Sequence, residues 1–158
     1  MNTEIVCRPA TIDDAPAIAS VFSPSLRLLS FLPILHTEEE DRRFIKNVIF
    51  AECEVTVAEA NAGIVSFLAR QEQEIRLLYT HPAYLGMGAG TRLVEAAKAS
   101  GVPALELWCF QANTRARRFY EACGFRPIRF TDGDENKEKM PDVRYRWERP
   151  SGVSASRR

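Results

Sequence analysis

A chain of 158 residues with 46% hydrophobic and 9% aromatic residues is long enough for one sizeable core and has ordinary globular composition. Its 21 basic and 21 acidic residues cancel, which removes the overall field that draws proteins onto nucleic acid or anionic membrane. No apolar run approaches the roughly 20 residues of a membrane span, and Met1-Asn2-Thr3-Glu4 lacks the basic and apolar stretches of a signal peptide, so a cytoplasmic protein is expected.

In chain order, Glu4 to Arg8 suits a first strand, and Thr11-Ile12-Asp13-Asp14 approximates a capping box that opens a helix to about Phe22. Ser23 to Leu35 is apolar but broken by Pro24 and Pro33, and either packs as core or walls a cleft. Thr37 with Glu40 makes a better capping box for a helix to about Ile49, whose first turn carries Glu38 to Asp41 as a solvated, dipole-complementing run. Two β-rich runs, Glu54–Glu59 and Ile64–Arg70, flank the hairpin signature Asn61-Ala62-Gly63. A third strand, Ile75–Thr80, stops at His81-Pro82. Then comes Leu85-Gly86-Met87-Gly88-Ala89-Gly90, three glycines at alternate positions before the amphipathic segment Thr91–Ala99. Ala104–Phe110 reads as a strand, so strand, helix, strand implies a right-handed parallel crossover. Asn113 caps a helix with the stripe Ala116, Phe119, Tyr120, Cys123 and a stop at Gly124. Pro127–Thr131 and Val143–Glu148 read as closing strands across a charged loop, Asp132–Pro141, and residues 150–158 as a disordered tail behind one domain, 1–149.

The glycine run is the stretch with chemical content. Without Cβ atoms the turn can curl until consecutive backbone N–H groups converge, and the helix that starts there adds its unpaired donors and dipole, which makes an anion cradle. It is not a Walker loop, because Thr91-Arg92 follows where Lys-Ser/Thr is needed, and the third glycine falls one residue early for a dinucleotide fingerprint. A turn whose glycines only permit close helix packing remains the competing interpretation. Cys7, Cys53, Cys109 and Cys123 sit in apolar segments without CxxC spacing, so reduced thiols are expected, with no metal site.

Two separated segments resemble the GNAT superfamily of acetyl-coenzyme A-dependent N-acetyltransferases. They are Leu78-Tyr79-Thr80-His81-Pro82 through Gly90-Thr91-Arg92-Leu93, and Asn113-Thr114-Arg115-Ala116-Arg117-Arg118-Phe119-Tyr120 through Gly124-Phe125. The first is similar to the family's strand plus Q/R-x-x-G-x-G/A loop, and the second to its N-x-x-A-x-x-x-Y-x-x-x-G-F helix. Leu85 departs from the Gln or Arg that usually opens the loop, and Ser66 stands where many members have Gly.

The resemblance implies a single α/β domain, a mixed and mostly antiparallel sheet of about six or seven strands with helices on both faces. It implies acetyl-coenzyme A as cosubstrate, its pyrophosphate on the amides of Leu85, Gly86, Met87, Gly88, Ala89, Gly90 and Thr91. The pantetheine arm would pair with Leu78, Tyr79 and Thr80 where two parallel strands splay. Asn113 matches the position that bonds this arm, besides capping its helix. Tyr120 matches the general acid, although its place on the buried stripe also suits packing. Glu74 resembles a position used as general base and equally suits a solvated strand end; Glu72 and His36 are weaker choices. Arg115, Arg117 and Arg118 are candidates for the coenzyme's 3′-phosphate, or simply the helix's wet face. The implied reaction moves acetyl to a primary amine of a small molecule or peptide by direct attack in a ternary complex, with a non-catalytic acyl-coenzyme A sensor as the alternative. By the same analogy Ser25–Arg43 walls the acceptor cleft and suits an amine with a hydrophobic portion, while Val143–Trp147 is a candidate homodimer contact.

Overall fold

The computed structural model describes residues 4–61 and 63–151, so Ala62 of the hairpin turn and the tail from residue 152 onward lie outside the described residues. Strand β1 (Ile5–Pro9) leads through one 3-10 turn (Ile12–Asp14) into α1 (Ala15–Leu28). Helix α2 (Glu38–Phe44) runs through a π-turn (Ile45–Ile49) into the single turn α3 (Phe50–Glu52). Strands β2 (Glu54–Ala60), β3 (Gly63–Gln71) and β4 (Glu74–Thr80) follow, then α4 (Ala89–Ala99), β5 (Ala104–Phe110), α5 (Thr114–Ala122), β6 (Arg126–Thr131) and β7 (Asp142–Glu148). No helix among the described residues is long and apolar enough to cross a membrane.

The strands form one seven-stranded sheet in the order β1-β2-β3-β4-β5-β7-β6. Every neighbouring pair is antiparallel except β4 and β5. Each face of the sheet carries its own core, and β3, between them, is buried without a break from Val65 to Ala69. Ile18, Val21 and Phe22 of α1, with Ile45 and Ile49 of the π-turn, pack on Val55, Val57, Phe67 and Ala69. On the opposite face Leu93, Val94 and Ala97 of α4 and Tyr120 of α5 pack on Leu68, Leu105, Leu107, Val143 and Tyr145. Strand β2 serves both cores by simple alternation, Val55 and Val57 facing one and Ala58 and Ala60 the other.

Two local features differ from the sequence reading. Helix α1 does not stop near Phe22 but continues through Pro24 to Leu28. A proline inside a helix costs about 3 kcal/mol, and burial of Val21, Phe22, Ser23 and Ser25 around it outweighs that. The acidic run at the start of α2 is also not wholly solvated. Asp41 is buried, accepts a hydrogen bond from Ser23 Oγ at 2.7 Å and pairs with Arg27 at 3.0 Å, fastening α2 to the end of α1. The capping box itself forms: Thr37 Oγ1 accepts from the Glu40 N–H at 3.1 Å, and the Thr37 N–H donates to Glu40 Oε1 at 2.8 Å.

Candidate active site

The site begins where β4 and β5 part. Strand β5 is fully paired on its other side, with seven partners on β7, and β4 is paired along β3, yet β4 and β5 meet only at Glu74↔Glu106. The Glu106 N–H donates to Gln73 O at 2.8 Å, and beyond that point the two strands diverge. The later residues of β4 therefore present backbone without a ladder partner on the β5 side, an edge that an extended ligand can join. A cavity of about 420 Å³ occupies this wedge. Leu78, Tyr79 and Thr80 line it, and Ser25, Leu28 and Leu29 at the end of α1 close it from the far side.

The glycine turn forms the other end of the same cavity. Gly88 is the N-cap of α4 at φ 91°, ψ 0°, a left-handed conformation that favours glycine. The first amide satisfied inside the helix is that of Arg92, which donates to Gly88 O at 3.1 Å. The amides of Gly88, Ala89, Gly90 and Thr91 precede it and have no carbonyl a turn behind them to bond. Gly90 serves a different end: a Cβ there would lie 3.2 Å from Phe119 Cζ, so its absence lets α5 pack against the start of α4. The two interpretations of the glycine run thus divide between its members. Leu85, Gly86, Gly88, Ala89, Gly90 and Thr91 all line the cavity, while Met87 is exposed and does not.

Helix α5 supplies the third wall. Asn113 caps it, Oδ1 accepting from the Ala116 N–H at 3.1 Å, and also lines the cavity. Tyr120 is buried against Phe119, Phe125 and Tyr145 but reaches the cavity lining. Burial pushes its phenol far above the ordinary value, which keeps the proton on oxygen. Of the three arginines only Arg115 lines the cavity. Arg117 donates to Tyr145 Oη at 3.1 Å and lies over the Phe130 ring.

Ser66, the departure in β3, is fully buried and donates to Tyr79 O at 2.8 Å, with its hydroxyl 2.9 Å from Thr80 Oγ1. It anchors the last residues of β4 from the β3 side, while Ser25 Oγ reaches Thr80 O at 3.0 Å from α1.

Glu74 is not brought to this cavity. It sits at the closed end of the wedge, about 16 Å along the strand from Tyr79 at the usual rise, and pairs with Arg144 at 3.3 Å. Arg144 also holds Glu106 at 2.8 Å, so β7 staples the two parallel strands together there. Glu72 lies exposed in the β3–β4 turn, and His36 lies 3.8 Å from Glu40.

On the other side of Tyr79 a second, polar cavity of about 770 Å³ opens between β4, β5 and the loop that joins β6 to β7. Tyr79 is the residue shared by both cavities. Trp108, Phe110 and Phe130 give the polar cavity aromatic walls, and Asp132, Asp134, Glu135, Glu138 and Asp142 give it carboxylates. Phe31 meets Phe110 edge-on at 5.9 Å, which brings the connection after α1 to its rim. Sequence reasoning named one wall, Ser25–Arg43, and missed the facing one. The signal was the charged run Asp132–Pro141, but nothing local shows which distant strand a loop will face.

With this geometry in place, residues 51–127 match the family model of the acetyltransferase (GNAT) domain. That stretch is a GNAT acetyltransferase domain. The family makes it an acyltransferase, and the mixed sheet with helices on both faces is the GNAT fold. No curated protein matches the sequence. Among solved structures, apo YjaB from Escherichia coli superposes with a TM-score of 0.74 at 22% identity, over 91% of this chain and 97% of that one. The PaiA N-acetyltransferase from Thermoplasma acidophilum in complex with coenzyme A gives 0.70 at 18% identity, over 92% and 99%. YncA from Salmonella typhimurium with its cofactor acetyl-CoA gives 0.71 at 14% identity, over 97% and 98%.

Proposed function

We propose that this GNAT protein transfers an acetyl group from acetyl-coenzyme A to a primary amine of a small molecule or peptide, by direct attack while both are bound. The observation that carries this reading is one cavity in which the orphan amides of α4, the unpaired edge of β4 and the Tyr120 hydroxyl all meet. The coenzyme complexes of PaiA and YncA support the same ligand here.

The residues fit that ligand. The amides of Gly88 to Thr91 and the helix dipole suit a pyrophosphate, with Arg115 beside them for a further phosphate. The backbone of Leu78, Tyr79 and Thr80 receives the pantetheine arm as an added strand, and Asn113 stands across from it. Acetyl-coenzyme A supplies an activated thioester carbonyl. A β4 amide near Tyr79 polarises that carbonyl as charge develops on its oxygen, and Tyr120 gives its proton to the departing sulfur. The amine approaches through the polar cavity beyond Tyr79, so that both reactants are held in attack range.

Titration calorimetry of acetyl-coenzyme A into the protein and into a Gly88→Glu variant tests the cofactor site. Binding to the first and none to the second is expected, since a carboxylate in the cradle repels pyrophosphate; absence of binding to either refutes the proposal. Tyr120→Phe is expected to keep the coenzyme affinity and lose about 10²-fold to 10⁴-fold in kcat. Binding without turnover on any amine identifies an acyl-coenzyme A sensor instead.

A further inference from the structure

The transfer proposed above, on which this inference rests, leaves one proton unassigned. An alkylamine is an ammonium at neutral pH and attacks only after a base has taken its proton. Glu74, the carboxylate the sequence offers, is paired with Arg144 away from both cavities. The base must therefore come from the polar cavity through which the amine arrives.

Its carboxylates are not equivalent. Asp142 is buried and occupied, accepting hydrogen bonds from the Thr131 hydroxyl and from Asn136 Nδ2. Asp132 Oδ1 accepts from the Asp134 N–H at 3.0 Å and serves its own turn. Glu138 is the single residue shared by the polar cavity and the small cleft beneath the α1–α2 connection, so it stands at the junction of the two walls around an incoming amine. It has no ion-pair partner among the described residues. Its charge is also felt at the Tyr79 phenol: burial first, then the negative charge of Glu138, pushes that hydroxyl up to about 12. Tyr79 marks where the two cavities meet, which is where the thioester must end.

The loop that carries Glu138 is built rather than slack. Asn136 Nδ2 donates to Met140 O at 2.8 Å, the Met140 N–H returns to Asn136 Oδ1 at 3.2 Å, and Lys139 Nζ donates to Asp134 O at 2.7 Å. Gln111 Nε2 ties both ends of the loop to β5 through Thr131 O and Asp142 O, each at 2.9 Å. A Cβ on Gly133 would fall 2.2 Å from the Met140 backbone, so the crossing at the base of the loop requires glycine. A carboxylate on such a frame is positioned before substrate arrives.

We propose that Glu138 is the general base of this enzyme and a contact of the acceptor amine. Its carboxylate takes one proton from the ammonium. The freed lone pair forms the C–N bond to the acetyl carbon as the C–S bond breaks, and Tyr120 protonates the sulfur. The second proton lost by the acylated nitrogen restores Tyr120, so one proton in all is released to water, through Glu138. The charged groups around it are compatible with this role. Arg76 of β4 is paired with Glu52 at 2.5 Å, Arg27 of α1 with Asp41 at 3.0 Å, and His36 lies beside Glu40. Arg129 of β6 is the remaining cation on the walls. Asp134, Glu135 and Asp142 add negative potential that favours an entering ammonium. The Cys109 thiol and both phenols stay neutral.

Two amine probes separate a base from a structural residue: benzylamine, an ammonium at pH 7, and aniline, which is neutral there. Glu138→Gln is expected to lower kcat with benzylamine by about 10²-fold or more, to recover as pH rises towards the amine's own pKa, and to leave aniline turnover little changed. Lys137→Ala, on the exposed side of the same loop, is expected to change neither rate. Equal losses of Glu138→Gln on both amines, or an unchanged benzylamine rate and pH profile, overturn the assignment while the transferase reading stands. Failure of the wild-type protein to acetylate either probe overturns both.

Discussion

Gly88 and Gly90 are two residues apart and line the same cavity, yet one added methyl group should destabilise the protein at the first and leave it nearly unchanged at the second. At Gly88 a Cβ meets nothing within 4 Å, so Gly88→Ala brings no clash, but φ of +91° is a conformation that an L side chain resists. The cost is about 1–2 kcal/mol. For a domain of this size each kcal/mol moves Tm by roughly 2–4 °C, so Gly88→Ala should melt about 2–8 °C lower. Gly90 has no such backbone conformation, and its Cβ would sit 3.2 Å from Phe119 Cζ, the tip of a side chain that can yield by a few tenths of an ångström. It lies inside the first turn of α4, where alanine gains about 0.5–1 kcal/mol over glycine in helix propensity and unfolded-chain entropy. Gain and crowding nearly cancel, so Gly90→Ala should melt within about 2 °C of wild type. Differential scanning calorimetry of the three ligand-free proteins decides this. A Gly88→Ala protein as stable as wild type, or a Gly90→Ala protein that is the less stable of the two, refutes the left-handed cap on which the anion cradle depends.

Two further outcomes follow from charge and burial. Asp14 is held down to about 2 from its ordinary value, first by the hydrogen bond from Arg8 and then by the Thr11 N–H. A carboxylate with a depressed folded-state pKa stabilises above its unfolded pKa and loses that contribution as pH falls. The wild type should therefore approach Asp14→Asn in Tm as pH drops from about 4 to about 2, closing a gap of about 1–2 kcal/mol once the solvent reaching Arg8 is allowed for; a gap constant over that window refutes the linkage. Burial pushes the Cys109 thiol up to about 12, so iodoacetamide at pH 8 should leave it unmodified in the native protein and alkylate it in urea. Rapid native modification, read by peptide mass spectrometry, refutes that burial.

The chain's own pattern determined a good deal. Apolar periodicity placed the three meander strands, α4, β5 and α5 within a residue or two of their observed limits, because those segments are amphipathic on the period of the element they form. Thr37 with Glu40, Asn113 before α5, and Gly88 before α4 marked helix starts because capping is local chemistry. The glycine run and the segment around Tyr120 carried the family, since a backbone anion cradle needs residues without Cβ in a fixed spacing. Long-range relations decided the rest. Only the sheet order showed that β4 and β5 touch once and then part, because strand divergence depends on what each pairs with on its other side. Pro24 reads as a helix stop and is overridden by the core that forms around it. Glu74 reads as a free carboxylate until Arg144, 70 residues later, arrives from β7. Glu138 reads as one charge among many in a polar loop. Its place opposite Tyr79 exists only once the β6–β7 connection folds back over the wedge, since proximity across the fold is a property of packing and leaves no mark on either local sequence.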